Sequence, residues 1–225
     1  MPISTPSPDV LHTCVVSCAR DFPLFAWAAL RSKEVDANPI LSPLLKYWAA
    51  EQEGFVTQNQ LWIIIYTSSR HSEVKLIASC TDGLTGGYPI FIFTPIPTQH
   101  IERESTILFM GLSSIVRELL DRVDKKRVYS VFALEKLSRT FASLWTEATR
   151  IPVLRDPYYE AKISFLTAQT FRRNDPPLPP NETCNLRPAV RGDREQVARL
   201  CYEFAADSVC WLLYFPTIHV SNSDL

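Results

Sequence analysis

The apolar residues near the start of the chain recur at a spacing typical of helices. Residues 15–33 include a stretch with a broad apolar face, and Pro23 places the start of this first helix near Asp21. A second helix is predicted over residues 43–53. Ser42 is a good N-cap, a proline follows at the first helical position, and Gly54 suits the position just after the helix.

The hydrophobic period changes to that of strands beyond residue 60. Three runs rich in β-branched and aromatic residues follow one another, LWIIIYT at 61–67, VKLIASCT at 74–81 and YPIFIFT at 88–94. The connections are short and polar or contain glycine. The glycine-rich segment 82–87 joins two strands and not a strand and a helix, which favours a hairpin turn over a phosphate-binding loop. The pattern predicts a three-stranded antiparallel meander.

Helices and strands alternate in the next part of the chain. A helix is predicted over 106–123, a strand over 128–134, a helix over 135–150 and a last strand over 161–168. A meander followed by such a unit indicates an α+β fold, in which a mixed sheet carries helices on both faces.

The proline-rich polar segment RRNDPPLPPN at 172–181 marks a domain boundary. We expect a disordered segment over 1–8, one domain over 9–172, a linker over 173–185 and a second unit starting at 186. In that unit Asp193 is predicted to cap a helix by accepting from the N–H of Gln196.

The bulk composition excludes several classes of protein. A net charge of −1 argues against binding of nucleic acid. Apolar stretches are far shorter than the roughly 20 residues that span a bilayer, and no secretory signal opens the sequence, so we expect no membrane association and a cytoplasmic or nuclear location. Six scattered cysteines read as reduced, mostly buried thiols.

Histidine and cysteine side chains offer one candidate metal site. His12, Cys14 and Cys18, with Cys80 or His71, lack paired metal-ligand spacing, and small buried side chains are the favoured interpretation. No metal site is therefore predicted.

Other side chains have ordinary structural interpretations. Glu102, Glu104 or Glu135 offers a candidate general base, against the default of solvated carboxylates, and Tyr158 and Tyr159 offer a general acid. The segment that starts at Gly111 resembles the nucleophile elbow Gly-x-Ser-x-Gly but lacks the last glycine. Close packing of the helix is the better explanation for Gly111. The tryptophans are predicted to pack in the core; they are Trp27, Trp48, Trp62 and Trp145.

The order of these elements resembles that of the GNAT superfamily of acyl-CoA-dependent N-acyltransferases. The segment LRPAVRGDREQVARLCYEFAADS, from Leu186, resembles the opening of a second such domain, and DPYYEAKISFLT at 156–167 resembles the end of one. The resemblance implies a tandem protein that binds acetyl-CoA or another acyl-CoA and acts on a small amine. It also implies that the backbone of Phe93 and Thr94 pairs with the pantetheine arm.

The phosphate-binding motif of that family is missing from the first unit. GNAT enzymes carry Gln/Arg-x-x-Gly-x-Gly/Ala between the fourth strand and the following helix, and here that interval reads TPIPTQHIERESTILFMGLSS. Its one glycine lies inside the predicted helix, and Glu102 and Glu104 stand near the phosphate position. We therefore expect a non-catalytic or truncated member without catalytic residues. The alternatives are an active N-acetyltransferase with an atypical coenzyme loop and a protein-interaction module.

The tail does not continue the pattern of the second unit. Up to Ser208 the chain follows an amphipathic helix with Val197, Leu200 and Phe204 on one side, and then VCWLLYF at 209–215 is apolar all round. The expectation is a truncated product, and the alternative is a tail that docks on the first unit.

Overall fold

A computed structural model describes residues 10–55, 57–68, 72–83, 86–154, 169, 171 and 187–207. The chain divides into two compact units, Met1–Asp156 and Pro157–Leu225. Several predicted features lie outside the described residues: the strand at 161–168, Tyr158 and Tyr159, the whole proline-rich linker, His71 and the tail from Ser208.

The first unit is built on a mixed sheet. Its described strands are β1 (Leu11–Val16), β2 (Gln60–Ser68), β3 (Ser72–Gly83), β4 (Gly86–Gly87), β5 (Ile90–Phe93) and β6 (Val131–Phe132). They lie in the order β1-β2-β3-β5-β6, with β4 paired to the end of β3. Neighbours are antiparallel except for β5 and β6, which run parallel. The fold is α+β, and the predicted meander is confirmed as β2, β3 and β5.

Helices cover both faces of this sheet. They are α1 (Leu24–Ser32) and α2 (Glu34–Gln52) on one face and α3 (Ser105–Arg122) and α4 (Glu135–Thr149) on the other. Successive side chains of β2 point to opposite faces of the sheet, so this strand contributes to the hydrophobic core on each face. Ile63 and Ile65 pack under α3 and α4, whereas Trp62 and Ile64 pack under α1 and α2.

Strand β1 was not predicted. Residues 15 and 16, which were assigned to the helical region, belong to this strand, and α1 begins only at Leu24, directly after Pro23. Leu11–Val16 has partly buried residues throughout and pairs along its whole length with β2. Its extended form therefore depends on a partner that lies about fifty residues away in the sequence.

The predicted start of the second helix at Pro43 is wrong. Helix α2 begins at Glu34 and continues through Pro39 and Pro43, and Gly54 follows its end with φ 85°, as expected of a residue after a helix. Each internal proline removes a helical hydrogen bond. The two extra turns nevertheless bury Ala37, Ile40 and Leu41 in the core, and this packing outweighs the local cost.

Close packing explains Gly111, as predicted. A Cβ on this residue would lie 2.9 Å from Leu76 Cδ1 and 3.2 Å from Ile65 Cγ2, so helix α3 approaches the sheet more closely there than alanine would permit. Of the predicted core tryptophans, Trp62 and Trp145 are buried, but Trp48 on α2 is exposed.

An arginine clamp holds the end of β3 to the chain before β6. The Arg127 guanidinium donates to the carbonyls of Thr81 (2.6 Å) and Tyr88 (2.8 Å) and lies 3.1 Å from Asp82 Oδ1. Because Gly87 has no side chain, the guanidinium fits against the β4 backbone. Arg127 belongs to the 3-10 turn Lys125–Arg127, and the sequence pattern does not predict the clamp.

In the second unit, α5 (Arg194–Asp207) follows a 3-10 turn at Arg191–Asp193. The Asp193 carboxylate accepts from the N–H of Val190 (2.8 Å) and from Arg187 (2.6 Å). The Asp193 carboxylate therefore points toward the segment that precedes the helix. The hydrogen bonds from Val190 and Arg187 take the place of the predicted bond from Gln196. The pKa of Asp193 is lowered by the Arg187 side chain first and by the Val190 N–H second.

Candidate functional site

The resemblance pairs the backbone of Phe93 and Thr94 with the coenzyme arm, and these residues lie at the end of β5, which runs parallel to β6. The pairing is short, Ile90 with Val131 and Phe91 with Phe132. The Ile90 N–H donates to the Ser130 carbonyl at 2.9 Å, so the backbone groups of Ile90 face β6. Backbone direction alternates along a strand, and the groups of Phe93, which pairs with Ile77, therefore face β3.

The side chain of Thr94 fixes the chain where it leaves β5. This residue is 5% exposed, and its hydroxyl donates to the Lys75 carbonyl at 2.7 Å and accepts from the Ile96 N–H at 3.2 Å. One buried hydroxyl thereby satisfies two backbone groups that would otherwise be buried without partners. The first residues of the loop between β5 and α3 are held rigidly to β3.

That loop is a compact series of turns. It contains a 3-10 turn at Thr98–His100 and reaches α3 without a glycine. The Ser105 N–H donates to the Glu102 carbonyl (3.3 Å) and the Glu104 N–H to the His100 carbonyl (3.1 Å). A phosphate cradle needs several free N–H groups directed at one point. Here two N–H groups at the helix start are used within the loop.

The two acidic residues of the loop are ion-paired. Glu102 forms a salt bridge with Lys136 of α4, and Glu104 Oε2 lies 3.8 Å from Lys75 Nζ. Glu135, the third candidate base, pairs with Arg139 one helical turn later. The carboxylates are thus not assembled around a common point. The repulsion that Glu102 and Glu104 would exert on a phosphate is offset by the two lysines.

A groove of about 370 Å³ runs between the first turns of α3 and α4. Leu108, Leu112 and Leu137 form its apolar part, and Ser105 and Lys136 contribute polar groups at its edge. The groove lies beside the start of α3. It has the size and mixed character of a small-molecule site.

The residues weighed as metal ligands lie apart. His12 stacks on Tyr66 with ring centroids 5.4 Å apart, and the Cys18 thiol donates to Glu51 at 3.0 Å. Burial raises the pKa of the Cys14 and Cys80 thiols. Across the described ranges, no three metal-ligating side chains come together.

Lys75 was not predicted to be a site residue. This lysine lies inside the apolar run VKLIASCT and is almost completely buried. A charged residue in the middle of such a run was the available signal. A buried lysine needs charged or hydrogen-bonding partners, and the strand pattern alone does not show which residues these are.

Comparison of the chain with protein-family models, with curated proteins and with solved structures finds no match. Among the described helices, none combines the length and the apolar character that crossing a membrane requires.

Proposed function

We propose that the first unit is a GNAT-like domain that keeps the architecture of an acyl-CoA N-acyltransferase and serves as a non-catalytic scaffold. Three features support the shared architecture: the order of the elements, the helices on both faces and the parallel β5–β6 pair after an antiparallel meander. Fold does not by itself confer activity.

The loop from Thr94 to Ser105 carries the non-catalytic part of the proposal. It has no glycine, and two N–H groups at its end, those of Glu104 and Ser105, bond to carbonyls within the loop. A pyrophosphate approaching the start of α3 would have to break these turns before it gained the same donors. The expected affinity for acyl-CoA is accordingly low.

An active N-acetyltransferase is the second candidate, favoured by one specific observation. Lys136 lies on the groove between α3 and α4, next to the helix start, and neutralises Glu102. A phosphate that replaced Glu102 at this lysine would gain a charged partner. In that case the Thr94 backbone, directly after the end of β5, is the group that would pair with the pantetheine arm.

Titration of the full chain with acetyl-CoA in a calorimeter separates the two candidates. The scaffold proposal expects no saturable binding at micromolar acetyl-CoA and no acetyl transfer to a panel of small amines. Micromolar binding that Lys136→Glu abolishes would overturn it and establish the second candidate. Lys126→Glu, a charge reversal at an exposed lysine, is the matched control.

A further inference from the structure

Lys75 occupies a β-bulge. In the β2–β3 register Ile65 pairs with Leu76 and Tyr66 with Val74, so Lys75 is the extra residue on β3. Its carbonyl accepts from the Thr94 hydroxyl at 2.7 Å. A bulge redirects one side chain out of the strand alternation and is frequent beside functional sites. Here it directs a lysine to a groove at the end of the sheet where β3 begins, near α1.

This groove is separate from the one between α3 and α4. It has a volume of about 370 Å³ and lies between helix α1 and the chain that leaves β5. Phe25 and Ala29 of α1 and Ile96 form apolar walls. Lys75, Glu73 and Glu104 supply the charges. The lining combines an apolar slot with one small charged region, as in sites for small organic molecules.

Two carboxylates of the groove lie close to the ammonium group of Lys75. Lys75 Nζ lies 2.8 Å from Glu73 Oε1 and 3.8 Å from Glu104 Oε2, and the lysine side chain is 7% exposed. An ammonium carries three N–H donors. Within the described residues, one hydrogen bond from it is formed, to Glu73. Two donors of a nearly buried cation remain for an acceptor in the groove.

The balance of charges selects the class of ligand. Lys75, Glu73 and Glu104 together carry a net charge of −1, so a ligand that is only an anion would add to the negative charge. A ligand that is only an amine would balance this charge but would leave the two remaining donors of Lys75 without an acceptor. A molecule with an ammonium and a carboxylate on the same carbon satisfies both signs at once.

We propose that this groove binds a zwitterionic α-amino acid with an apolar side chain. The ligand carboxylate accepts from Lys75, the ligand ammonium lies against Glu104 and Glu73, and the side chain packs between Phe25, Ala29 and Ile96. The proposal goes beyond the scaffold function, since it assigns a small-molecule ligand to a groove that α1, the start of β3 and the loop between β5 and α3 line together.

Calorimetric titration of the full chain with L-phenylalanine and two single-charge analogues tests this assignment. The analogues are phenethylamine, which lacks the carboxylate, and 3-phenylpropanoate, which lacks the ammonium. L-phenylalanine is expected to bind, and each analogue to bind roughly tenfold more weakly, because each loses a charged hydrogen bond. The proposal is overturned if no apolar amino acid in a panel including leucine binds saturably, or if either analogue matches L-phenylalanine within about twofold.

Variants locate the binding. Lys75→Gln and Glu104→Gln are each expected to weaken L-phenylalanine binding by roughly tenfold. The matched controls Lys46→Gln and Glu53→Gln, both at exposed positions on or beside α2, should leave it unchanged. Unaltered affinity in a folded Lys75→Gln protein would disprove the site. If that variant does not fold, as judged by near-UV circular dichroism, the Glu104→Gln variant and the analogue series decide the question.

Discussion

The carboxylate of Glu51, near the end of α2, accepts a 2.9 Å hydrogen bond from the backbone N–H of Arg20 in the turn after β1. The same carboxylate accepts from the N–H of Ala19 (3.2 Å), the thiol of Cys18 (3.0 Å) and the hydroxyl of Thr57 (2.6 Å). Four donors converge on one side chain that is 4% exposed. Glu51 thereby connects the end of a helix to a turn more than thirty residues earlier.

These contacts make the stability of the first unit depend on pH. Burial by itself raises the pKa of Glu51, but the bonds from Thr57, Cys18, Arg20 and Ala19 together outweigh burial and lower the pKa from 4.5 to about 2. A lowered folded-state pKa contributes stability that is complete above the unfolded value. We expect about 3 kcal/mol to be lost as the pH falls from about 4.5 toward 2. Urea unfolding at a series of pH values measures this loss.

The variant Glu51→Gln isolates that contribution. It is expected to lower the free energy of unfolding at pH 7 by about 2 to 4 kcal/mol, since the amide nitrogen replaces one oxygen and would face the donors either of Arg20 and Cys18 or of Ala19 and Thr57. Its stability should change less with pH below 4.5 than that of the parent protein. Glu53→Gln, at the exposed end of the same helix, is the control. An equal acid dependence in the two variants would contradict this account.

Replacing Arg127 by alanine is expected to lower the free energy of unfolding by about 2 kcal/mol or more. The substitution removes the Arg127 donor from the carbonyl of Tyr88 and from that of Thr81, which keeps its bond from the Tyr88 N–H, and it leaves Asp82 without its cation. Lys126→Ala, one residue earlier and exposed, should change stability by less than about 0.5 kcal/mol. Similar denaturation midpoints for the two variants would show that the clamp contributes nothing.

Gly111→Ala tests the close approach of α3 to the sheet. Alanine favours a helix over glycine by about 1 kcal/mol, but its Cβ would lie 2.9 Å from Leu76 Cδ1. Overpacking in a filled core costs about 1 to 3 kcal/mol, so we expect a net destabilisation of about 1 kcal/mol. Ser113→Ala, on a less buried position of the same helix, provides the reference in thermal unfolding. A more stable Gly111→Ala protein would mean that the helix shifts outward at little cost.

Thr94→Val removes a hydroxyl and keeps the shape of the side chain. The Lys75 carbonyl would lose its donor and the Ile96 N–H its acceptor, at a cost of about 1 to 3 kcal/mol. Because the bulge and the exit of β5 are held by this hydroxyl, amide hydrogen exchange should increase at Ile96 and around Lys75. Thr98→Val, at an exposed position of the same loop, should leave exchange there as it is. Unchanged protection in Thr94→Val would refute the role of the hydroxyl.

The elements that were predicted closely are those whose pattern is local. Strand β2, at Gln60–Ser68, and helices α3 and α4 lie within one residue of the predicted bounds at nearly every end. Each has a run of apolar residues at one clear period, so neighbouring residues alone specify its backbone. The hairpin at the end of β3 is confirmed for the same reason, since its glycines pair across it.

The features that depend on distant parts of the chain needed the tertiary structure. Strand β1 exists through its pairing with β2, and the first turns of α2 exist through burial that offsets two prolines. The bulge at Lys75 and the carboxylate of Glu51 both gather partners from segments about 20 to 30 residues away. A sequence pattern records which residues are apolar, but it does not record which polar groups meet when the sheet and helices pack. The local pattern therefore determined the elements, and packing decided where the buried charges lie.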